Sequence, residues 1–90
     1  MELRHLRYFL AVANELNFTK ASQKLFISQP PLSRQIKELE NEIGAKLFDR
    51  NNKKVILTEA GKFFKKEIIN QLQSLDSVIL KTKKLSLIHI

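Results

Sequence analysis

From Leu3 to Leu16 the apolar side chains recur as Leu3, Leu6, Phe9, Leu10, Ala13 and Leu16. That spacing keeps one face of a helix apolar and predicts a first helix over the stretch. Asn17 and Phe18 break the pattern. Thr19 reads as the N-cap of a short second helix, Lys20 to about Leu25, with Ala21 and Leu25 turned inward. Phe26-Ile27-Ser28-Gln29 reads as a tight turn. A third helix is predicted from about Pro30 to Ile43, with Leu32, Ile36, Leu39 and Ile43 on its apolar side. Pro30 and Pro31 fall in its first turn, where N–H groups have no intrahelical acceptor and proline costs little. They also remove the N–H groups that a cap at Ser28 would bond, so no side-chain cap is expected there. Gly44 is predicted to close this helix in the left-handed conformation.

Lys46-Leu47-Phe48-Asp49-Arg50 and Lys54-Val55-Ile56-Leu57 read as two short strands. Asn51-Asn52-Lys53 forms the turn, since Asn tolerates positive φ. Two strands alone are unstable, so this hairpin must pack on the helices. Thr58 is the next predicted N-cap, with Glu59 placed against the positive end of the helix dipole. A long helix follows to about Ser86, on the order of 40 Å in length. Ile68, Leu72, Leu75 and Ile79 continue the apolar spacing past the point where a compact domain should end. Leu85, Leu87, Ile88 and Ile90 form an apolar tail that the pattern does not place. The order helix, short helix, turn, helix, hairpin is a winged helix-turn-helix. The expected fold is mainly α: three helices and a two-stranded β wing over 1–58, then a linker or dimerisation helix and tail over 59–90.

Sixteen Lys and Arg against nine Asp and Glu leave a net charge of +7. That balance suits a polyanion, either nucleic acid or an acidic membrane face, without choosing between them. There is no Cys, which removes disulfides and thiolate metal sites and fits a reducing compartment. The first residues carry no signal-peptide pattern and no apolar run is long enough to span a bilayer, so the cytoplasm is the expected location. Catalysis finds no support. His5 and His89 lie near opposite ends, without Cys or clustered carboxylates beside them. Gly44 and Gly61 make no phosphate-binding loop. Glu38, Glu40 and Glu42 point in different directions around the third helix and form no metal site. No cofactor is expected.

The third helix has a second face, made of Pro30, Arg34, Lys37 and Asn41 with Ser33 at its margin. Such a face suits the major groove, its first residues meeting base edges and its body meeting backbone. Arg34 can bond guanine O6 and N7 together, and Gln29 can do the same for adenine. Ser33 can serve a base or a phosphate, while Pro30 and Pro31 offer apolar contact to a thymine methyl. At the hairpin, Arg50 and Lys53, and less so Lys54, suit a minor groove or its phosphates. A charged helix face alone is usually a solvated face. The element order and the basic hairpin shift the balance toward double-stranded DNA. The stripe Ile68, Leu72, Leu75 and Ile79 either folds back on its own domain or pairs with a second chain. Pairing is the more natural use, although Thr82 falls on the seam. A homodimer would present two recognition helices to a two-fold site. The alternative is a winged-helix protein-interaction module that docks through the long helix without reading DNA sequence. A membrane-surface helix is a weaker reading, because Glu67 and Asp76 interrupt the lysines and no Trp anchors it.

These residues resemble the DNA-binding domain of LysR-type transcriptional regulators. The resemblance rests on Met1-Glu2-Leu3-Arg4-His5-Leu6-Arg7-Tyr8-Phe9, Asn17-Phe18-Thr19-Lys20-Ala21-Ser22 and Ser28-Gln29-Pro30-Pro31-Leu32-Ser33-Arg34-Gln35-Ile36. It continues through Leu39-Glu40, Ile43-Gly44, Leu47-Phe48-Asp49-Arg50 and Leu57-Thr58-Glu59-Ala60-Gly61. The paired prolines and the opening segment look like the branch that controls aromatic-compound catabolism. The resemblance implies that Gln29, Pro30, Pro31, Ser33 and Arg34 approach DNA, that Arg50 and Lys53 reach the minor groove or its phosphates, and that Thr19 contacts a phosphate. It implies a linker helix that pairs two subunits, tetramers at full length, and interrupted palindromes near promoters, with RNA polymerase as a candidate partner. It also implies a larger effector-binding domain, responsive to a small-molecule inducer, beyond the residues of this chain. The glycine-containing turn that usually precedes that domain has no counterpart in Lys84–Ile90.

Overall fold

The computed structural model describes residues 1–51 and 54–88. The elements are α1 (Leu3–Glu15), α2 (Phe18–Leu25), α3 (Gln29–Ile43), β1 (Phe48–Asn51), β2 (Lys54–Leu57) and α4 (Glu59–Ile88). This is the expected winged helix-turn-helix with a long helix behind it.

The core is built where the first three helices meet the hairpin. Phe9, Val12, Ala13, Phe18, Ala21, Leu32, Ile36, Leu39, Leu47 and Phe48 are buried there. The rings of Phe9 and Phe48 lie 5.3 Å apart, and Phe64 of α4 meets Phe9 edge-on at 5.0 Å. Phe48 is thus the residue that docks the hairpin, which two short strands require. The predicted stripe of α1 is rotated slightly in the fold. Val12 is fully buried, while Leu3 and Leu16 are exposed. Leu16 is exposed because it ends the helix at φ 50°, its N–H donating to the Val12 carbonyl at 2.7 Å. Ile43, expected inside, is also exposed, since it is the last residue of α3.

The start of α2 differs from expectation. Asn17, not Thr19, is the N-cap: it is extended, and its Oδ1 accepts from the Lys20 N–H at 2.9 Å. The physical reason is Phe18, which is buried and meets Phe48 edge-on at 6.1 Å. Starting the helix at Phe18 puts its ring in the core and releases the Thr19 hydroxyl from a capping role. At the other end Phe26 closes α2 at φ 57° and its side chain is almost wholly exposed. α3 begins one residue earlier than predicted, at Gln29, with both prolines in its first turn and no side-chain bond from Ser28. Gly44 ends it at φ 82°, as expected.

β1 and β2 pair antiparallel with Phe48 opposite Leu57 and Asn51 opposite Lys54. β1 starts two residues later than predicted because Lys46 and Leu47 are held by other partners. The Lys46 carbonyl accepts from the Thr58 hydroxyl at 2.6 Å, and the Leu47 carbonyl from the Thr58 N–H at 3.0 Å. Thr58 also caps α4, its Oγ1 accepting from the Gly61 N–H at 3.0 Å. α4 runs to Ile88, slightly further than expected. Its stripe is not uniform in exposure. Gly61 is buried and Phe64, Ile68 and Leu72 are half-buried, whereas every described residue from Gln73 onward is exposed. The proximal half therefore belongs to the domain and the distal half projects from it, stretching the molecule to 57 Å in its longest dimension.

Candidate nucleic-acid interface

Arg34, Lys37 and Asn41 are exposed on the outer side of α3, with Pro30 exposed and Pro31 and Ser33 half-buried at its start. The side is outward because Leu32, Ile36 and Leu39 fill the opposite one at no more than 1% exposure. α2 is anchored to the front of this helix by a polar contact. The Thr19 hydroxyl donates to Gln29 Oε1 at 3.1 Å, which places the predicted phosphate ligand beside the predicted base reader. Since Gln29 Oε1 takes this bond, its amide N–H groups take no part in it and remain donors.

The wing enters the same surface from the other side. The Arg50 guanidinium lies 4.0 Å from the centre of the Phe18 ring. This cation–π contact holds the cation at the start of α2, next to Thr19, rather than loose in solvent. Between α3 and β1 runs an open groove of about 590 Å³, lined by Arg34, Lys37, Lys46 and Arg50 together with Glu40 and Asp49. None of these four cations takes part in a salt bridge among the described residues. Their charge is therefore available to a polyanion that enters the groove.

Of the residues singled out from the sequence, Thr19, Gln29, Pro30, Pro31, Ser33, Arg34, Lys37 and Arg50 come together on this surface. Lys53 lies outside the described residues. Ile68, Leu72, Leu75 and Ile79 are remote from it along α4, the first two half-buried and Leu75 and Ile79 at 39% and 57% exposure. Val78, Leu80, Leu85, Leu87 and Ile88 widen the exposed apolar surface beyond one seam. Three contributors were not singled out. Lys46 had a signal, a cation at the strand start beside the predicted reading helix. Phe18 and Glu40 had none, because their partners are distant in sequence. The three glutamates of α3 do go to separate places: Glu38 lies 3.6 Å from His5 Nε2, Glu42 is 2.8 Å from the N-terminal amine, and Glu40 bonds the Leu47 N–H. No cluster of His, Cys, Asp or Glu that could hold a metal exists among the described residues. No helix among them is long and apolar enough to cross a membrane.

A family model described as bacterial regulatory helix-turn-helix protein, lysR family, matches residues 3–62, which is the whole of the winged domain and the first turn of α4. The chain belongs to the lysR family. Among curated members it is 50% identical over 86 residues to the transcriptional regulator BenM of Acinetobacter baylyi (strain ATCC 33305 / BD413 / ADP1), covering 96% of this chain and 28% of BenM. It is 49% identical over 85 residues to the Hca operon transcriptional activator HcaR of Escherichia coli (strain K12), covering 94% of this chain and 29% of HcaR. The chain thus spans less than a third of the length of these lysR-family relatives. Its fold matches the BenM DNA-binding domain solved in complex with benA site 1 DNA, at a TM-score of 0.91 and 50% identity over 96% of this chain and 97% of that one.

Proposed function

We propose that this chain binds double-stranded DNA in a sequence-specific manner, as a homodimer, and serves a regulator of transcription without catalysing a reaction. The observation that carries the reading is the joined surface of α3 and the wing. An outward helix face with Arg34 and Lys37 is continuous with a cationic groove that ends at Arg50. The likeness to a lysR-family domain solved with DNA supports the same reading. In this view α3 enters the major groove, with Gln29, Ser33 and Arg34 reading base edges and Pro30 and Pro31 making apolar contact. Thr19, Lys37 and the wing cations Arg50 and Lys53 meet the flanking backbone. α4 pairs two copies along Ile68, Leu72, Leu75 and Ile79, so the target is an interrupted palindrome.

The division into a DNA-binding unit over 1–58 and a dimerisation helix over 59–90 is part of this proposal. So are a cytoplasmic location, tetramers and RNA polymerase as partners at full length, and an inducer sensed by residues beyond this chain. A target operon for aromatic-compound catabolism rests on the opening segment and the paired prolines. Residues 1–90 need no cofactor for DNA reading.

Selection of bound duplexes from a random pool tests the core of the reading. The expected outcome is a two-fold interrupted motif; absence of enrichment at low salt overturns it. Arg34→Ala is expected to relax discrimination at one base position of each half-site, at a cost of ~1–3 kcal/mol. A variant that keeps the wild-type ratio of cognate to random binding removes Arg34 from base reading.

A further inference from the structure

Glu40 is a buried carboxylate on the helix proposed to read DNA, with 7% of its surface exposed. Its Oε2 accepts from the Leu47 N–H at 2.7 Å and from the Phe48 N–H at 3.2 Å. The same short segment is held from the other side by α4. The Thr58 hydroxyl and N–H donate to the Lys46 and Leu47 carbonyls at 2.6 and 3.0 Å. Gly61 lies flat against Leu47, where a Cβ would overlap the carbonyl oxygen. Residues 46–48 are therefore a strap: the Leu47 and Phe48 N–H groups go to Glu40 of α3, and the Lys46 and Leu47 carbonyls go to Thr58, the cap of α4.

We propose that Glu40 is a positioning residue for DNA recognition: it sets the distance between the reading face of α3 and Arg50 on the wing. This rests on the DNA-binding reading above. Two contacts must be made at once, one in the major groove by α3 and one beside it by the wing. A hairpin of four-residue strands has no stable position of its own, so its place is set by its attachments. The Phe48 ring packs against Phe9 and Phe18 and docks the hairpin, but the hydrophobic effect behind that packing is non-directional. Two successive N–H groups converging on one carboxylate oxygen are directional and charge-assisted. They fix Phe48 in register, and Arg50 follows on the same strand. Glu40 acts through the wing and not by touching a base or phosphate.

The test compares variants of the whole chain on two duplexes, one spanning the selected site with its flanks and one cut to the part that α3 alone covers. Wild type is expected to prefer the longer duplex. Glu40→Gln retains an oxygen that accepts both bonds, so its preference stays within about threefold of wild type. Folded Glu40→Ala is expected to lose about tenfold of that preference, and its salt slope on the longer duplex falls by about one as a wing phosphate contact is lost. Glu40→Asp keeps the charge on a shorter arm and is expected to show a smaller loss, which decides the matter if the alanine variant does not fold. A folded Ala or Asp variant with the wild-type preference overturns the proposal. So does a Gln variant as impaired as Ala, or a wild type indifferent to duplex length. A wild type that does not separate selected from random duplexes overturns the DNA reading instead, so the two failures are distinguishable.

Discussion

Gly44 and Gly61 are the two glycines of the chain, and they serve different physical needs. Gly44 sits at φ +82° with open space where a Cβ would go, so its requirement is purely conformational. Gly61 has ordinary helical backbone, but a Cβ there would strike the Leu47 carbonyl and stand 2.9 Å from Leu57 Cδ2. Gly44→Ala is expected to cost ~1 kcal/mol, the usual penalty for a left-handed L-residue. Gly61→Ala gains up to ~1 kcal/mol of helix propensity yet must move backbone, and such overpacking costs ~1–3 kcal/mol or more. Urea unfolding should therefore show Gly61→Ala to be destabilised; a variant at least as stable as wild type contradicts the close approach. The role of Gly44 was legible in the sequence because it follows the last apolar residue of a periodic run. That of Gly61 was not, because its neighbour is a carbonyl on another element. Asn17 and Thr19 are both good caps by type, and burial of Phe18 between them made the choice.

At the level of elements, α4 is two structures in one helix. Gly61 and Phe64 pack on the domain, Phe64 against its core and Gly61 against Leu47. Beyond Leu72 nothing described covers the helix, and Leu75, Val78, Ile79 and Leu80 are all exposed. A stripe of this kind is ordinarily satisfied by a second helix. Leu75→Lys combined with Ile79→Lys is expected to raise the dimer dissociation constant by about 100-fold or more, at ~1.5–3 kcal/mol per buried side chain lost. The winged domain should keep its melting behaviour, because neither residue touches it. Sedimentation of both proteins checks this, and unchanged association places the seam elsewhere. Periodicity showed the stripe but not where domain packing gives way to a free helix, since the spacing is the same on both sides of that point.

For the molecule as a whole, charge acquires meaning through placement. A net +7 is compatible with many partners, whereas Lys37, Lys46 and Arg50 along one groove, beside the base-reading position proposed for Arg34, suit a phosphate backbone. If each of these three neutralises one phosphate, log Kd should change by about 3 per log unit of salt for each subunit, at ~0.9 per contact. Lys46→Ala should lower that slope by about one on selected and random duplexes alike. Fluorescence anisotropy across a salt series measures it, and an unchanged slope removes Lys46 from the path. The helices, the hairpin, the outward face of α3 and the left-handed stop at Gly44 were determined by the sequence itself. Each arises from periodicity, capping or backbone sterics within a few residues. Only the tertiary structure decided that Phe18 carries Arg50, that Glu40 and Thr58 grip the strap from opposite sides, and where α4 leaves its domain. Those contacts join residues distant along the chain, and a contact of that kind leaves no periodic trace in the sequence.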